Sequence, residues 1–392
     1  YLRIPINRTS NPNLKKYYVP WLNLYSEAVT TGSTTTPAPP CEIDLRVLAD
    51  VEIEEPDQIR IVFDKKYFTI DGKDGTDANP VLITDKAVAT KHDTGQTIKI
   101  KCIEEFSGRQ EITVYAYPKD SLLKTPAEQL TLRKVAGRIV LEPNKNTPKV
   151  GKKPAVKNRK ELKVVLVGVK TNINGTTTTG EFNTVAPNET AIFQNSLHQA
   201  LIETKLITQL PDSTGVMLDI ILDLSSISQF KLHRNSAGNP VDSTYIDSAG
   251  NIKPINALLV ELKRRFHLQT SNKYVNDFII FAFNERCPDT SRPGFVINGF
   301  AEATQAGNKT VFKKSAAMFN TRRDTTLPHE CMHGLGLFHT HRDGTIYDSD
   351  QKFVFANGGD DPVHSTDNIM SYRQDRRSTL NWQWKILKRN LK

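Results

Sequence analysis

The pattern of hydrophobic and polar positions changes twice along the 392-residue chain. From Cys41 to about Pro143, apolar residues alternate with polar ones at the period of a strand with one buried face. From about Glu161 onward, continuous apolar runs of strand length are separated by stretches with helical spacing. The pattern predicts an N-terminal arm with a Thr/Pro linker over 1–40, one domain over 41–143, a basic linker over 144–160 and a second domain over 161–392.

The 41–143 region contains about seven strand-like runs separated by turn residues, which is typical of an antiparallel β-sandwich. We therefore predict an all-β accessory domain of immunoglobulin-like character. The runs lie at 43–47, 59–63, 68–70, 81–83, 98–102, 112–116 and 130–132. Asp71, Asp74 and Asp77 crowd one turn and would suit a structural Ca²⁺, but their spacing differs from that of an EF-hand and nothing else supports the ion. A solvated turn is the alternative.

The 161–392 region alternates strands and helices, which predicts an α/β domain. Buried strands are expected at 162–169, 216–224 and 277–283, and helices at 190–206, 255–266 and 380–387. A hairpin is expected from 295–303 and 311–319.

The segment His329-Glu330-Cys331-Met332-His333-Gly334-Leu335-Gly336-Leu337-Phe338-His339 carries the candidate chemistry. Histidines four residues apart lie on the same face of a helix, so His329 and His333 can reach one metal ion. Glu330 is offset by one residue and can act as a general base without ligating the metal. Gly336 can end the helix in a left-handed conformation and bring His339 back as a third ligand. The result is a three-imidazole zinc site with one position open for water.

Other third ligands remain open at this stage. No glutamate follows Glu330, so a downstream glutamate ligand is excluded. Two histidines and five aspartates remain as alternatives to His339, namely His341, His364, Asp343, Asp348, Asp360, Asp361 and Asp367.

A second motif, Asn368-Ile369-Met370-Ser371-Tyr372, follows downstream. Together the two motifs resemble the metzincin clan of zinc metallopeptidases, which pair the long zinc motif with a methionine-containing turn. The resemblance implies a mostly parallel, twisted sheet with the zinc helix beneath it. It also implies that Met370 forms a hydrophobic floor under the imidazoles and that Tyr372 ligates the resting zinc or hydrogen-bonds the oxyanion. Thr340 and Tyr372 point to different subfamilies, so none is assigned.

The resemblance also implies an antiparallel edge strand that pairs with the substrate as an added strand. The candidate is the segment beginning Ser315, Ala316, Ala317, Met318, with an ordinary hairpin strand as the alternative.

These motifs predict a zinc endopeptidase with one catalytic Zn²⁺ that acts on protein or peptide substrates. Two alternatives stay open. In the first, the chain is an interaction or delivery protein whose sandwich binds a partner and whose zinc domain is vestigial. In the second, it is a toxin exported by a secretion machinery. Metal content and cleavage of an unfolded protein discriminate the first alternative from a peptidase.

Composition adds limits on partners. A hydrophobic content of 38% and a charged content of 24% are typical of a soluble globular protein, and no apolar run is long enough for a transmembrane helix. The net charge is +9, and basic residues are concentrated in the 145–163 and 373–392 segments. These segments are interpreted either as solvated surface or as a surface that attracts an acidic partner. No nucleic-acid motif is present.

Cys41 and Cys102 can pair if the compartment is oxidising. No signal peptide is visible, and we expect a secreted or exported protein whose address signal has been removed.

Overall fold

The computed structural model describes residues 2–5, 16–49, 51, 53–86, 88, 95–151, 154–307, 309–340, 368–371 and 376–391. The chain divides into two compact units, Tyr1–Arg159 and Lys160–Lys392. The predicted start of the second domain, residue 161, lies next to this division. The predicted arm, sandwich and basic linker fall in the first unit, except for Lys160, the last residue of the linker. Within the described residues, no helix has both the length and the apolar character needed to cross a bilayer.

The described part of the first unit is mostly strand. In chain order it contains β1 Leu2–Pro5, β2 Lys16–Val19, β3 Trp21–Leu22, α1 Glu27–Gly32, β4 Glu42–Val47, β5 Gln58–Val62, β6 Phe68–Ile70, β7 Val81–Ile83, β8 Gln96–Cys102, β9 Gln110–Tyr117, α2 Pro126–Leu132 and β10 Lys134–Leu141. One sheet has the order β3-β10-β9-β5-β7, a second has the order β4-β8-β6, and β1 pairs with β2. Alternate apolar residues of the two larger sheets, such as Ile61 of β5 and Ile100 of β8, share one core.

The prediction of an all-β, immunoglobulin-like sandwich followed by an α/β metzincin-like domain is wrong. Within the residues that the structure describes, the fold is mixed α/β, and its several sheets include parallel strands. In the first unit, the short β3 runs parallel to β10, with Trp21 opposite Val140. Residues 130–132, expected as a strand, lie in α2.

A capping box explains why α2 is a helix. The Thr125 hydroxyl accepts a hydrogen bond from the Glu128 N–H at 3.4 Å, and the Glu128 carboxylate accepts one from the Thr125 N–H at 2.9 Å. Pro126 occupies the first helical position, where its fixed φ favours the helix and its missing N–H costs nothing. These local interactions outweigh the strand preference of the short apolar run.

The described part of the second unit alternates strands and helices, as predicted. In chain order it contains β11 Lys160–Asn172, β12 Thr177–Thr179, α3 Glu189–His198, β13 Ile202–Ile207, β14 Gln209–Pro211, β15 Met217–Asp219, β16 Ile221–Asp223, β17 His233–Arg234, β18 Pro240–Val241, α4 Asn256–Gln269, β19 Phe278–Ala282, β20 Gly299–Ala306, β21 Lys309–Met318, α5 Thr326–Gly334 and α6 Asn381–Arg389. The helix expected over 190–206 ends early, because Leu201 takes a positive φ of 53° and the chain continues as β13.

The central sheet has the order β12-β11-β19-β21-β20, and β13 and β16 also pair with β11. Four pairings are parallel: β11 with β13, β16 and β19, and β19 with β21. The strands β12 and β20 are antiparallel to their neighbours. Two shorter pairs, β14 with β15 and β17 with β18, are antiparallel.

The sheet separates a helix-covered core from the candidate site. Val167 of β11 and Phe281 of β19 share a buried cluster with Leu262 and Phe266 of α4. Phe278 of β19 lies three positions from Phe281 and therefore on the opposite face of the strand. On that face α5 comes very close, since a Cβ atom added to Gly334 would lie 2.4 Å from the Phe278 ring. The absence of a side chain at Gly334 therefore fixes the depth at which α5 packs.

Candidate metal centre

The helix α5, Thr326–Gly334, carries the first two histidines, and all of its residues are buried. Thr325 is its N-cap residue and Pro328 lies in its first turn. The Thr325 side chain makes no capping hydrogen bond. Its hydroxyl oxygen instead accepts a bond of 3.0 Å from Nη2 of Arg376, so this side chain links the helix start to the C-terminal segment.

The C-terminal end of α5 is closed by Gly336, as the sequence predicts. Gly336 has a φ of +92°, in the region that favours glycine. The Gly336 N–H donates to the His333 carbonyl at 2.7 Å, and the Leu337 N–H donates to the Met332 carbonyl at 3.0 Å. These two bonds form a Schellman motif, which reverses the chain after the helix.

The reversal brings the three predicted histidines together. Their Nε2 atoms lie 3.2 Å apart for His329 and His333, 3.2 Å for His329 and His339, and 3.1 Å for His333 and His339. Nitrogen ligands about 2.05 Å from a tetrahedral zinc ion lie roughly 3.3 Å apart. The spacing therefore fits a single small ion, and among the described residues this is the group of three or more ligand-type side chains that can hold one.

Backbone carbonyls orient two of the ligand rings. His329 Nδ1 lies 2.8 Å from the Ile369 carbonyl oxygen, and His333 Nδ1 lies 2.7 Å from that of Leu337. A ring that donates its Nδ1–H keeps the lone pair of Nε2 for a metal. Burial, and after it the nearby Arg376 guanidinium, hold the pKa of His329 well below its ordinary value. His329 therefore stays in the neutral form that a metal requires.

Glu330 lies on the same helix but outside the ligand group. Its side chain is buried, and its carboxylate accepts a hydrogen bond from the backbone N–H of Ala301 in β20. Burial raises the pKa of Glu330 to about 7, although the Arg376 cation and the Ala301 N–H act in the opposite direction. A carboxyl group with a pKa near neutrality both accepts and donates a proton readily under ordinary conditions.

The segment 368–371, here called the Met370 turn, contacts two of the ligand segments through backbone carbonyls. Its Ile369 carbonyl contacts His329, and its Met370 carbonyl accepts a bond of 3.1 Å from the N–H of Thr340, the residue after His339. Asn368 exchanges two amide hydrogen bonds, of 2.8 and 3.1 Å, with Gln383 of α6. The Met370 side chain is fully buried. Its position beneath the imidazoles stays a prediction.

Arg376 belongs to the site, although the sequence indicated only one more cation in a basic segment. Its Nη1 lies 2.9 Å from His329 Nδ1 and donates to the carbonyls of Ile369, at 3.3 Å, and of Ser371. With the bond from Nη2 to Thr325, this buried guanidinium joins the Met370 turn to the start of α5. No local sequence signal distinguishes Arg376 from its exposed neighbour Arg377.

The sequence analysis also assigned no role to two aromatic residues of the site, Phe312 and Phe338. The Phe312 ring of β21 stacks on His333 with centroids 4.9 Å apart, and the Phe338 ring lies 5.1 Å from that of Phe312. Phe338 directly precedes His339, which was the available signal for it. Phe312 has no such signal, because strand pairing brings it to the site.

The predicted substrate-binding edge strand needs correction. Ser315, Ala316, Ala317 and Met318 lie in β21, which pairs with β19 on one side and β20 on the other, and all four are buried. They offer no free edge. On this side of the sheet, among the described strands, β20 is the outer one. The run of four small or apolar residues was itself typical of an interior strand.

The remaining sequence-based predictions concern other residues. Tyr372 and the alternative ligands His341, His364, Asp343, Asp348, Asp360, Asp361 and Asp367 lie outside the described residues. The turn aspartates are engaged in protein contacts: Asp71 with the Lys99 N–H, Asp74 with Thr76 and Asp77 with Arg60. They form no described ligand group, so the structure adds no support for Ca²⁺. Cys41 and Cys102 are buried free thiols, and the Cys102 N–H donates to the Cys41 carbonyl at 2.8 Å.

No known protein family matches the sequence, and neither the curated proteins nor the solved structures contain a significant match to it.

Proposed function

We propose that this chain is a zinc-dependent endopeptidase that hydrolyses peptide bonds in protein substrates. The observation that carries the proposal is the convergence of three histidine Nε2 atoms at 3.1–3.2 Å, with the buried, unligated carboxylate of Glu330 on the same helix. Three imidazoles on a tetrahedral centre are a ligand set of catalytic zinc, which keeps a fourth position open. The resemblance of the 329–339 and 368–372 motifs to metzincin peptidases supports the same reaction.

The chain's own residues have distinct tasks in this proposal. His329, His333 and His339 would hold the ion, which when bound supplies a Lewis acid that lowers the pKa of a water molecule towards 7. Glu330 accepts the proton of the attacking water at its carboxylate and delivers it to the departing amine. Tyr372 donates a hydrogen bond to the oxyanion, a role taken from the family resemblance alone.

The test combines zinc content with cleavage of casein. We expect one zinc per chain by elemental analysis and hydrolysis of casein that stops when a chelator removes the metal. The Glu330→Ala variant should retain zinc but lose at least about a hundredfold in rate, since general acid–base catalysis contributes about that much. Undiminished cleavage by this variant would show that Glu330 is not the base. A chain that binds no zinc and cleaves nothing would favour the interaction or delivery protein.

A further inference from the structure

A cavity of about 350 Å³ lies beside the histidine group. It is bounded by the 310–314 segment of β21, by the end of α5 with the residues that follow it, and by the end of α6. Phe312 and Phe338 form apolar walls, and Lys313, Lys314 and Arg389 add cationic groups. No acidic residue lines this cavity among the residues that the structure describes.

The part of β21 that carries the two lysines is irregular. In a regular strand, neighbouring side chains point to opposite faces. Here Ala301 pairs with Ala316 and Ala303 pairs with Phe312, so the single residue Glu302 of β20 faces the three residues 313–315 of β21. Such a bulge re-aims side chains and leaves the strand locally unpaired. Phe312, which precedes the bulge, and Lys313 and Lys314 within it all line the cavity.

The two lysines of the cavity carry the charge that matters for an occupant. Lys313 and Lys314 form no ion pair with a described acidic residue, whereas the buried Glu302 opposite them is paired with Lys263 of α4 at 2.6 Å. A complementary occupant would carry a carboxylate for the lysines and a short apolar stem for the two phenylalanines. Glutamate and aspartate side chains have this chemistry.

The cavity and the metal centre share a wall. Phe312 lines the cavity and stacks on His333, and Phe338 lines it and precedes His339. An extended peptide advances about 3.5 Å per residue. If the peptide bond to be cleaved lies at the histidines, a substrate residue one or two positions away therefore lies beside the wall formed by Phe312 and Phe338. We propose that the cavity is a specificity subsite, which selects substrates with an acidic side chain one or two residues from the cleaved bond. This proposal rests on the proposed peptidase function.

The experiment uses the zinc-loaded full chain and fluorogenic peptides that differ only in Glu against Gln at each position in turn. All peptides carry a C-terminal amide, and a second set with a free carboxylate separates side-chain from terminal recognition. We expect about tenfold higher kcat/KM for Glu at one position, decreasing as NaCl rises, because exposed ion pairs are screened. In the Lys313→Gln/Lys314→Gln variant the Glu-to-Gln ratio should fall towards one. Lys309→Gln, in the same strand but outside the cavity, should keep the wild-type ratio.

The outcomes separate the two proposals. Equal rates for Glu and Gln peptides at every position, or a ratio unaffected by the double variant, overturn the subsite and leave the peptidase standing. A preference confined to peptides with a free C-terminus assigns the cavity to a terminal carboxylate and likewise overturns the side-chain proposal. No hydrolysis of any peptide overturns the peptidase proposal and the substrate assignment with it.

Discussion

Nδ1 of His333 lies 2.7 Å from the carbonyl oxygen of Leu337, four residues further along the chain. This contact exists because the chain reverses at Gly336, so the turn that ends α5 also supplies the hydrogen-bond acceptor that orients a ligand ring. Helix termination and ligand orientation are therefore one structural feature, and a change at Gly336 should affect both.

We expect Gly336→Ala to destabilise the fold by about 2 kcal/mol and to weaken zinc binding. An alanine at a φ of +92° is strained by about 1–2 kcal/mol, and its Cβ would lie 2.4 Å from Nδ2 of Asn390, which donates to the Leu335 carbonyl. Urea unfolding and chelator competition measure the two effects. Gly175→Ala is the matched control, because Gly175 has a φ of +86° and open space around it. The Gly175→Ala variant should be strained without losing zinc affinity. Equal zinc affinity in the two variants would contradict the coupling of helix termination to ligand orientation.

The sequence predicted the meeting of the three histidines better than it predicted the surroundings of the site. The spacing of His329, His333 and His339 depends on helix geometry and one glycine turn, which are local properties of the chain. Arg376 and Phe312 reach the site through tertiary packing, and nothing in their local sequence indicates this. The edge-strand prediction failed for a related reason, since a hairpin pattern does not show which of its two strands pairs with the rest of the sheet.

The fold shows the same division between local and tertiary information. The buried strands at 162–169 and 277–283 were recognisable as continuous apolar runs, and they are β11 and β19. In the first unit, strand-length runs were found, but their assembly was assigned by analogy with an all-β sandwich. The helix α2 and the parallel β3–β10 pair depend on a capping box and on a distant segment, so alternation alone could not reveal them.

Replacing Arg376 by glutamine should lower the stability of the metal-free chain by about 2–4 kcal/mol. The variant leaves the carbonyls of Ile369 and Ser371 and the Thr325 hydroxyl with fewer donors in a buried environment, which costs about 1–3 kcal/mol per unsatisfied group. Urea unfolding with a chelator present measures this without a metal contribution. Arg377→Gln removes the same charge from an exposed neighbour and should change stability by less than about 0.5 kcal/mol. Similar effects of the two substitutions would mean that Arg376 acts through net charge only.

Removing one charge from the ion pair of Glu189 and Arg322 should destabilise the fold far more than removing one charge from a surface pair. Both side chains are fully buried, and the guanidinium donates to the two carboxylate oxygens at 2.8 and 3.0 Å. Arg322 also donates to the Phe319 carbonyl after β21, so the pair ties α3 to the segment that leads into α5.

We expect Glu189→Gln to cost about 3–5 kcal/mol, because it leaves a buried charge without its counter-ion. The same substitution at Glu161, whose pair with Lys205 at 2.7 Å is about half exposed, should cost less than about 1 kcal/mol. Combining Glu189→Leu with Arg322→Met should recover much of the loss, since neither charge then remains buried. If the double variant is as unstable as Glu189→Gln, the packing around the pair matters more than its charge.

His198, at the end of α3, should make the fold sensitive to mild acid. Burial lowers the pKa of His198 from 6.5 to about 4, so the unfolded chain binds a proton at a pH where the folded chain does not. The resulting stability is fully present above pH 6.5 and is lost as the pH falls towards 4. At pH 5 the loss amounts to about 2 kcal/mol relative to pH 7.5. Urea unfolding midpoints at the two pH values measure it. In His198→Leu the part of the pH dependence that belongs to this residue should disappear, whereas His233→Leu, at an exposed position, should retain the wild-type dependence. An identical pH dependence in wild type and His198→Leu would show that His198 does not carry the acid sensitivity.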